Sequence, residues 1–219
     1  MNPSVKTVEE NYKTIVEALQ AGRYAEAERQ AIERLESAPL AAQCWVLLGE
    51  ALLHQGCRPT AARVFERAWL LDPEASWVGA VQQALNQGKG NAVRERVEEM
   101  LRVKTVTVTG AVLVKNEERT IEKCLRALVE AVDEIVVVDT GSTDRTVAIA
   151  QSIPKVRVIQ REWTDDFAAA RNAGLREIRT DWVLWVDGDE ILFAEDAPHV
   201  RTVAALFDDT SAPPVLQIW

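Results

Sequence analysis

Apolar positions fall into two textures along the chain, and the change comes near residue 105. In the first hundred residues they recur within stretches rich in Ala, Leu, Glu, Gln and Arg, all good helix formers. The pattern predicts helices over 7–20, 24–37, 41–54, 58–71, 75–87 and 91–102. From Thr105 the apolar residues gather into short β-branched runs. VTVTGAVLVK (106–115), EIVVVD (134–139), VRVIQ (156–160) and DWVLWVD (181–187) read as strands. EERTIEKCLRALVEAV (117–132) and DDFAAARNAGLREI (165–178) read as helices, and another helix opens after the polar turn at 140–146. Strands alternating with helices predict βαβ crossovers and a mostly parallel sheet, so every polar motif falls on the edge where strands end. The expected organisation is an all-α domain over 1–104 and a Rossmann-like α/β domain over 105–219, with no long linker.

The helical half repeats itself at a spacing of 34. Gly22 recurs as Gly56, Ala27 as Ala61 and Pro39 as Pro73, and Gly90 falls in register as a third, weaker copy. In the second copy Trp45, Leu48 and Gly49 lie on one helix, and Ala61, Phe65 and Ala68 line the next, ahead of Leu71-Asp72-Pro73. This spacing of small and apolar positions resembles the tetratricopeptide repeat. One helix pair cannot bury its apolar face alone, so such units stack. The resemblance implies a surface for a protein or peptide partner; a generic helical bundle is the plainer alternative.

Charge sharpens the division. The net charge is −9, with 13 basic and 14 acidic side chains in residues 1–104 but 12 and 20 in 105–219. An acidic second half argues against nucleic acid as a partner, which would require a basic face. Cys44, Cys57 and Cys124 form no CxxC, and with His54 and His199 as the only histidines a zinc site is not expected. Free buried thiols and a reducing cytoplasm are expected. No N-terminal signal stretch and no apolar run of about 20 residues is present, so a membrane span is not expected.

Candidate chemistry concentrates at the strand ends. The apolar run from Trp182 stops in Asp187, Gly188, Asp189 and Glu190. Carboxylates so close repel one another unless a cation or ligand lies between them, which points to a divalent metal and a phosphate. KNEE (115–118) follows the first strand. In DTGSTDRT (139–146), Asp139 ends the second strand and is expected to face the crevice and accept hydrogen bonds from a base or ribose. Gly141 permits a tight turn, and Ser142, Thr143 or Asp144 can cap the next helix; simple capping explains this motif equally well. In DDFAAARNAG, Arg171 and Asn172 offer polar groups to a phosphate or base, or Arg171 forms a surface ion pair. GxGxxG, GxxxxGK[ST] and GxSxG are absent, and Ile191 disrupts the DxDxT phosphatase pattern.

NEE, DTGSTDRT, DFAAARN and WVLWVDGDE, in that order, resemble the family 2 glycosyltransferases of the GT-A fold over residues 107 to about 192. A tetratricopeptide array beside such a domain is similar to the arrangement of bacterial members. The resemblance implies transfer of a sugar from a nucleotide-sugar donor, usually UDP-linked, to a protein, peptide or glycan, with inversion. It implies a nucleotide-sugar site built from Asn116, Glu117, Asp139, Gly141, Ser142, Asp144, Arg171 and Asp187. Mg2+ or Mn2+ would sit on Asp187 and Asp189. The family's acceptor side and general base lie further along than Trp219, so a C-terminally truncated domain is expected, with the catalytic base beyond this chain. Asp208 and Asp209 come too early for that role and read as a solvated helix end. APPVLQIW (212–219) would form an exposed strand edge suited to oligomer pairing. The alternative from another class is a non-catalytic tetratricopeptide scaffold with an incomplete nucleotide-sugar-binding domain. A nucleotidyltransferase would require a basic, glycine-rich loop where KNEE stands.

Overall fold

The computed structural model describes residues 3–208 and Val215, with side chains from Tyr12 onward. The chain divides into two compact units, one ending at Arg102 and the other beginning at Val103. Among the described residues the first holds six helices: α1 (Pro3–Gln20), α2 (Tyr24–Ser37), α3 (Ala42–His54), α4 (Arg58–Leu71), α5 (Val78–Gln87) and α6 (Glu95–Met100). Ala27, Ala31, Ala51, Ala61 and Ala68 are wholly buried, and their small side chains let the helices approach closely. Gly49 of α3 lies against the Phe65 ring of α4, where a Cβ would come within 2.5 Å. The buried Trp45 indole donates to the Pro39 carbonyl at 2.8 Å, and the Arg67 guanidinium lies 5.5 Å from its ring centre.

The 34-residue recurrence is a backbone recurrence. Gly22, Gly56 and Gly90 have φ of 71°, 74° and 86°, the left-handed region that side chains disfavour. Gly90 packs directly on Gly56, and the Gly56 carbonyl accepts the Ala92 N–H at 3.2 Å. This contact holds residues 91–94 out of helix, so α6 begins at Glu95 rather than near 91.

The second unit is a four-stranded, wholly parallel sheet of order β3-β2-β1-β4, built from β1 (Val108–Val114), β2 (Glu134–Asp139), β3 (Val156–Gln160) and β4 (Trp182–Asp187). The expected helical N-terminal region and parallel α/β unit are thus both present. Side chains alternate cleanly between two faces. Val108, Val112, Ile135, Val137 and Leu184 join one core with α7 (Ile121–Leu128), α8 (Thr146–Gln151) and α10 (His199–Phe207). Ala111, Leu113, Val136, Val138, Val183 and Trp185 form the other, covered by α9 (Phe167–Leu175), whose Gly174 lies against Val138 and Trp185.

In this unit two helices, like α5 and α6 of the first, are shorter than their patterns suggest. The expected helix 117–132 is α7 alone, because 115–120 lies in a loop and the turn after Leu128 gives its Val129 and Val132 carbonyls to the Lys155 ammonium, at 2.5 and 3.0 Å. The expected 165–178 is α9, whose Asp166 caps it by accepting the Ala169 N–H at 3.0 Å. The segment 212–219, expected as a pairing edge, lies outside the described residues apart from Val215. Among the described residues, no helix is long and apolar enough to cross a membrane.

The N-terminal edge of the sheet is tied by three aspartates. Asp133 accepts the Val108 N–H at 2.8 Å, and Asp181 accepts the Thr107 N–H and hydroxyl at 2.8 and 2.7 Å. Asp208 accepts the Trp182 indole N–H at 2.6 Å and pairs with Lys104. Asp208 thus closes α10 onto the start of β4, some five residues, or roughly 16 Å at about 3.3 Å per residue, from Asp187 at its end.

The repeated glycines are not equivalent. A Cβ added at Gly22 would meet nothing within 4 Å, whereas one at Gly90 would meet the Gly56 carbonyl oxygen at 2.2 Å. Gly22→Ala should therefore cost about 1 kcal/mol, the left-handed penalty alone, and Gly90→Ala more than about 2 kcal/mol, as read by urea denaturation of the helical unit. Equal losses would refute the packed-turn account. The tied aspartates give a second expectation. Hydrogen bonds from Thr107 hold Asp181 below the usual carboxylate range, and those from Lys104 and Trp182 do the same for Asp208. Asp133 is also depressed: its burial acts upward but is outweighed by the Val108 N–H and Arg201. A folded-state pKa below the unfolded value adds stability that is full above about pH 4 and disappears as pH falls through the depressed value. Asp181→Asn should flatten the loss of stability below pH 4, measured by denaturant titration across pH 2–6; an unchanged acid slope would refute this role.

Candidate functional site

The register places the strand ends level. Val114 pairs with Asp139, Leu113 with Asp187 and Asp139 with Gln160. β2 and β3 lie to one side of β1 and β4 to the other, so the chain reverses its winding between β1 and β4. Ligands of open α/β sheets bind at the carboxyl edge beside such a switch point. KNEE and the DGDE turn flank it.

The loops after β1 and β2 are sewn together. The Asn116 N–H donates to the Ser142 hydroxyl and its side-chain oxygen accepts the Thr143 N–H, both at 2.8 Å. The Glu117 N–H donates to the Thr146 hydroxyl at 2.7 Å, and the Glu118 N–H to Asp144 at 3.2 Å. Glu118 in return accepts the Arg145 N–H at 3.2 Å. Asn116 reaches this geometry with φ 59°, which asparagine tolerates better than most residues. Asp144 also accepts the Thr146 N–H at 2.9 Å and its hydroxyl at 2.5 Å, so it secures the start of α8 and the neighbouring loop at once. Desolvation acts upward on its pKa, but the bonds from Thr146 and Glu118 outweigh it and hold the carboxyl low.

Asp139 does not face open crevice, as its position at a strand end suggests. It is 1% exposed and accepts the N–H groups of Gly141 and Ser142, all at 3.2 Å, turning its carboxylate into its own loop. Gly141 makes that turn with φ 98°.

Strand alternation puts Asp187 on the face of Val183 and Trp185, which α9 covers. There the Arg171 guanidinium lies 3.6 Å from the Asp187 carboxylate and 5.5 Å from the Trp185 ring centre. Asp187 is 64% exposed at its side chain. Asp189 is exposed, and among the described residues its carboxylate makes no hydrogen bond or ion pair. Beneath the turn, the buried Cys124 thiol lies 3.6 Å from the Asp187 carbonyl, to which it donates. Burial, then the charges of Glu190, Asp189 and Asp187, push this thiol up to about 12, so it stays protonated. Cys44 and Cys57 are likewise buried free thiols. Among the described residues no group of three or more His, Cys, Asp or Glu is disposed to hold a metal. Asp187 and Asp189 are both exposed carboxylates at the end of β4. A cavity of about 300 Å³ lies beyond the end of β3, between Arg161, Trp163 and Asp166 on one side and Ala170, Ala173 and Arg176 on the other.

Sequence reasoning brings the strand-end motifs to one edge of the sheet, where the structure has them, but misses Cys124 under the acids and the turn-closing part of Glu190. Acidic count alone cannot tell an engaged carboxylate from a free one.

The family model described as Glycosyl transferase family 2 matches residues 111–208. A TPR repeat-containing protein of Synechococcus elongatus is 35% identical over 114 residues, 48% of this chain and 28% of that protein. The SPbeta prophage-derived glycosyltransferase SunS of Bacillus subtilis is 32% identical over 105 residues, 48% of this chain and 25% of SunS. The chain thus spans about a quarter of the length of these curated relatives. Among solved structures, the mannosyltransferase PcManGT from Pyrobaculum calidifontis, in complex with GDP-Man and Mn2+, is 29% identical, with a TM-score of 0.43 over 49% of this chain and 34% of that one. The match to the glycosyl transferase family 2 model, over residues 111–208, takes in nearly all of the four strands and their motifs.

Proposed function

We propose that this chain carries the donor-binding part of a metal-assisted glycosyltransferase that takes its sugar from a nucleotide sugar, most simply a UDP-sugar. One observation carries this reading. Around the switch point Glu117, Glu118, Asp139, Asp144 and Glu190 are all engaged within the protein, and the Asp187 and Asp189 carboxylates are left to face solvent. Two carboxylates suit Mg2+ or Mn2+, which fill their remaining positions with substrate phosphate and water. Bound there, such a cation would stabilise the charge that grows on the departing diphosphate. Asp189 is the firmer ligand, and Asp187 lies toward the ribose or sugar. Arg171, already held against Asp187 and Trp185, adds a second positive charge for the diphosphate. The sewn loops shape the nucleotide side: Asn116, Glu117, Ser142 and Asp144 fix backbone groups there, while Asp139 and Gly141 set the turn.

Inverting transfer calls for a general base beside the acceptor hydroxyl. Asp208 is unsuited to that part, being bonded to Trp182 and Lys104 at the opposite edge of the sheet. We assign the acceptor as a protein, peptide or glycan, with the helical unit, read as tetratricopeptide repeats, engaging a protein or peptide partner, and the compartment as the cytoplasm, which fits three free thiols.

Calorimetry of the chain with UDP and GDP, with and without Mn2+ or Mg2+, tests the donor reading. One nucleotide should bind only with metal, and Asp189→Ala should weaken it at least roughly tenfold, about 1.4 kcal/mol. Metal-independent binding, or unchanged affinity in Asp189→Ala, would refute the metal assignment. A folded chain that binds neither nucleotide would shift the function to the helical unit.

A further inference from the structure

The third acid of the DGDE turn differs from the other two. The Glu190 N–H donates to the Asp187 carbonyl at 3.0 Å, closing a four-residue turn over 187–190. The Glu190 carboxylate returns to accept the Asp187 N–H at 2.9 Å. Residue 190 thus binds residue 187 twice, in the reciprocal manner of a capping box but at the end of a strand. Three further contacts hold the turn from outside. Cys124 donates its thiol proton to the same Asp187 carbonyl at 3.6 Å. Gly188 is buried so closely that a Cβ would meet Val114 at 3.0 Å and the Glu117 side chain at 3.3 Å. Glu117 is fixed in turn by Thr146 and Thr120.

We infer that Glu190 is a positioning residue for the acid turn and not a metal ligand: its carboxylate locks the Asp187 N–H so that Asp187 and Asp189 are presented at a fixed angle and spacing. The inference rests on the reading of those two residues as the metal pair. The physical case is one of preorganisation. A hard cation of octahedral preference tolerates little error in donor placement. β4 is an edge strand, and by alternation from Trp182, whose N–H bonds the Thr107 carbonyl, the Asp187 N–H points away from β1 and has no ladder partner, so a turn containing glycine there would sample many geometries. A carboxylate acceptor three residues on supplies the missing partner with a charge-assisted bond, stronger than a neutral one. The lock reaches further through Gly188, because the turn bears on Glu117, whose backbone belongs to the sewn loops. The metal side and the nucleotide side are thus braced against each other at one side chain.

The test compares Glu190→Gln with Glu190→Ala in the full chain. Glutamine keeps an oxygen that can accept the Asp187 N–H but carries no charge; alanine keeps neither. Two readouts are needed. The first is amide hydrogen exchange at Asp187 on the ligand-free chain, by NMR: protection should fall about tenfold in Glu190→Ala and stay within about threefold in Glu190→Gln. The second is the Kd for UDP in the presence of Mn2+, which should weaken roughly three- to tenfold in Glu190→Ala and no more than about twofold in Glu190→Gln. Unaltered Asp187 exchange in Glu190→Ala overturns the lock. A Glu190→Gln variant that loses metal-dependent affinity as severely as Asp189→Ala, with Asp187 still protected, overturns the positioning assignment and makes Glu190 a ligand. Absence of metal-dependent binding in the unsubstituted chain, with Asp189→Ala equally silent, overturns the metal reading beneath both and is recognised by that silence.

Discussion

The α/β unit depends on the way β1 and β2 hand over their chain at the carboxyl edge. Both strands end in mid-sheet, with a polar loop turning into a helix, and each loop exposes backbone N–H groups that have lost their ladder partners. The two loops solve this by satisfying one another: Asn116, Glu117 and Glu118 on one side bond Ser142, Thr143, Asp144, Arg145 and Thr146 on the other. Without that exchange Asn116 would have no reason to hold a left-handed backbone, and α7 could begin near 117 as its periodicity suggests. The bonding also accounts for the shape of the motifs. KNEE and TGSTDRT are two halves of one hydrogen-bonded structure, although Glu118 and its partner Asp144 stand 26 residues apart in sequence.

Asp187 and Asp189 stand apart from the other carboxylates at the two ends of the sheet. At the N-terminal edge Asp133, Asp181 and Asp208 each accept donors from the chain and are held low by them. At the carboxyl edge Asp187 has only the half-exposed Arg171 at 3.6 Å, and such surface pairs contribute little. Asp187 and Asp189 are therefore left without a strong protein partner, whereas Glu190 accepts the Asp187 N–H. Natural sequences place such inconsistencies where they serve function.

Most of the architecture is legible in the sequence because it rests on periodicity. The 34-residue recurrence appears in the backbone as three left-handed glycines, and the apolar runs 134–139, 156–160 and 182–187 are strands. Polar side chains are harder to read because their partners are remote in sequence. Nothing near Asp139 says that it turns into its own loop, and nothing near Asp144 says that it reaches Glu118. Asp181 reads only as the start of a strand, yet it holds Thr107, 74 residues earlier. The stretch that forms α10 carries no recognisable chemistry, although the residue closing it anchors Trp182. The helix boundaries depart from their patterns where a tertiary partner, Lys155 or the sewn loop, outcompetes continuation of the helix.

The burial of Asp139 bears on how the proposed site would read its nucleotide. A carboxylate with little exposure that already accepts the Gly141 and Ser142 N–H groups has limited capacity for another donor. Whatever a bound base contacts, its fit is then governed by the loop that Asp139 holds as much as by Asp139 itself. The same logic separates Glu190 from Asp187 and Asp189. In both places a strand ends in an acid, the chain turns within three residues, and a carboxylate takes an N–H of that turn. At β2 the acid ending the strand is the acceptor; at β4 the acceptor is the residue at the end of the turn, which leaves the strand-end Asp187 carboxylate outside. A change of which residue accepts therefore decides whether a strand-end acid serves the loop or faces solvent.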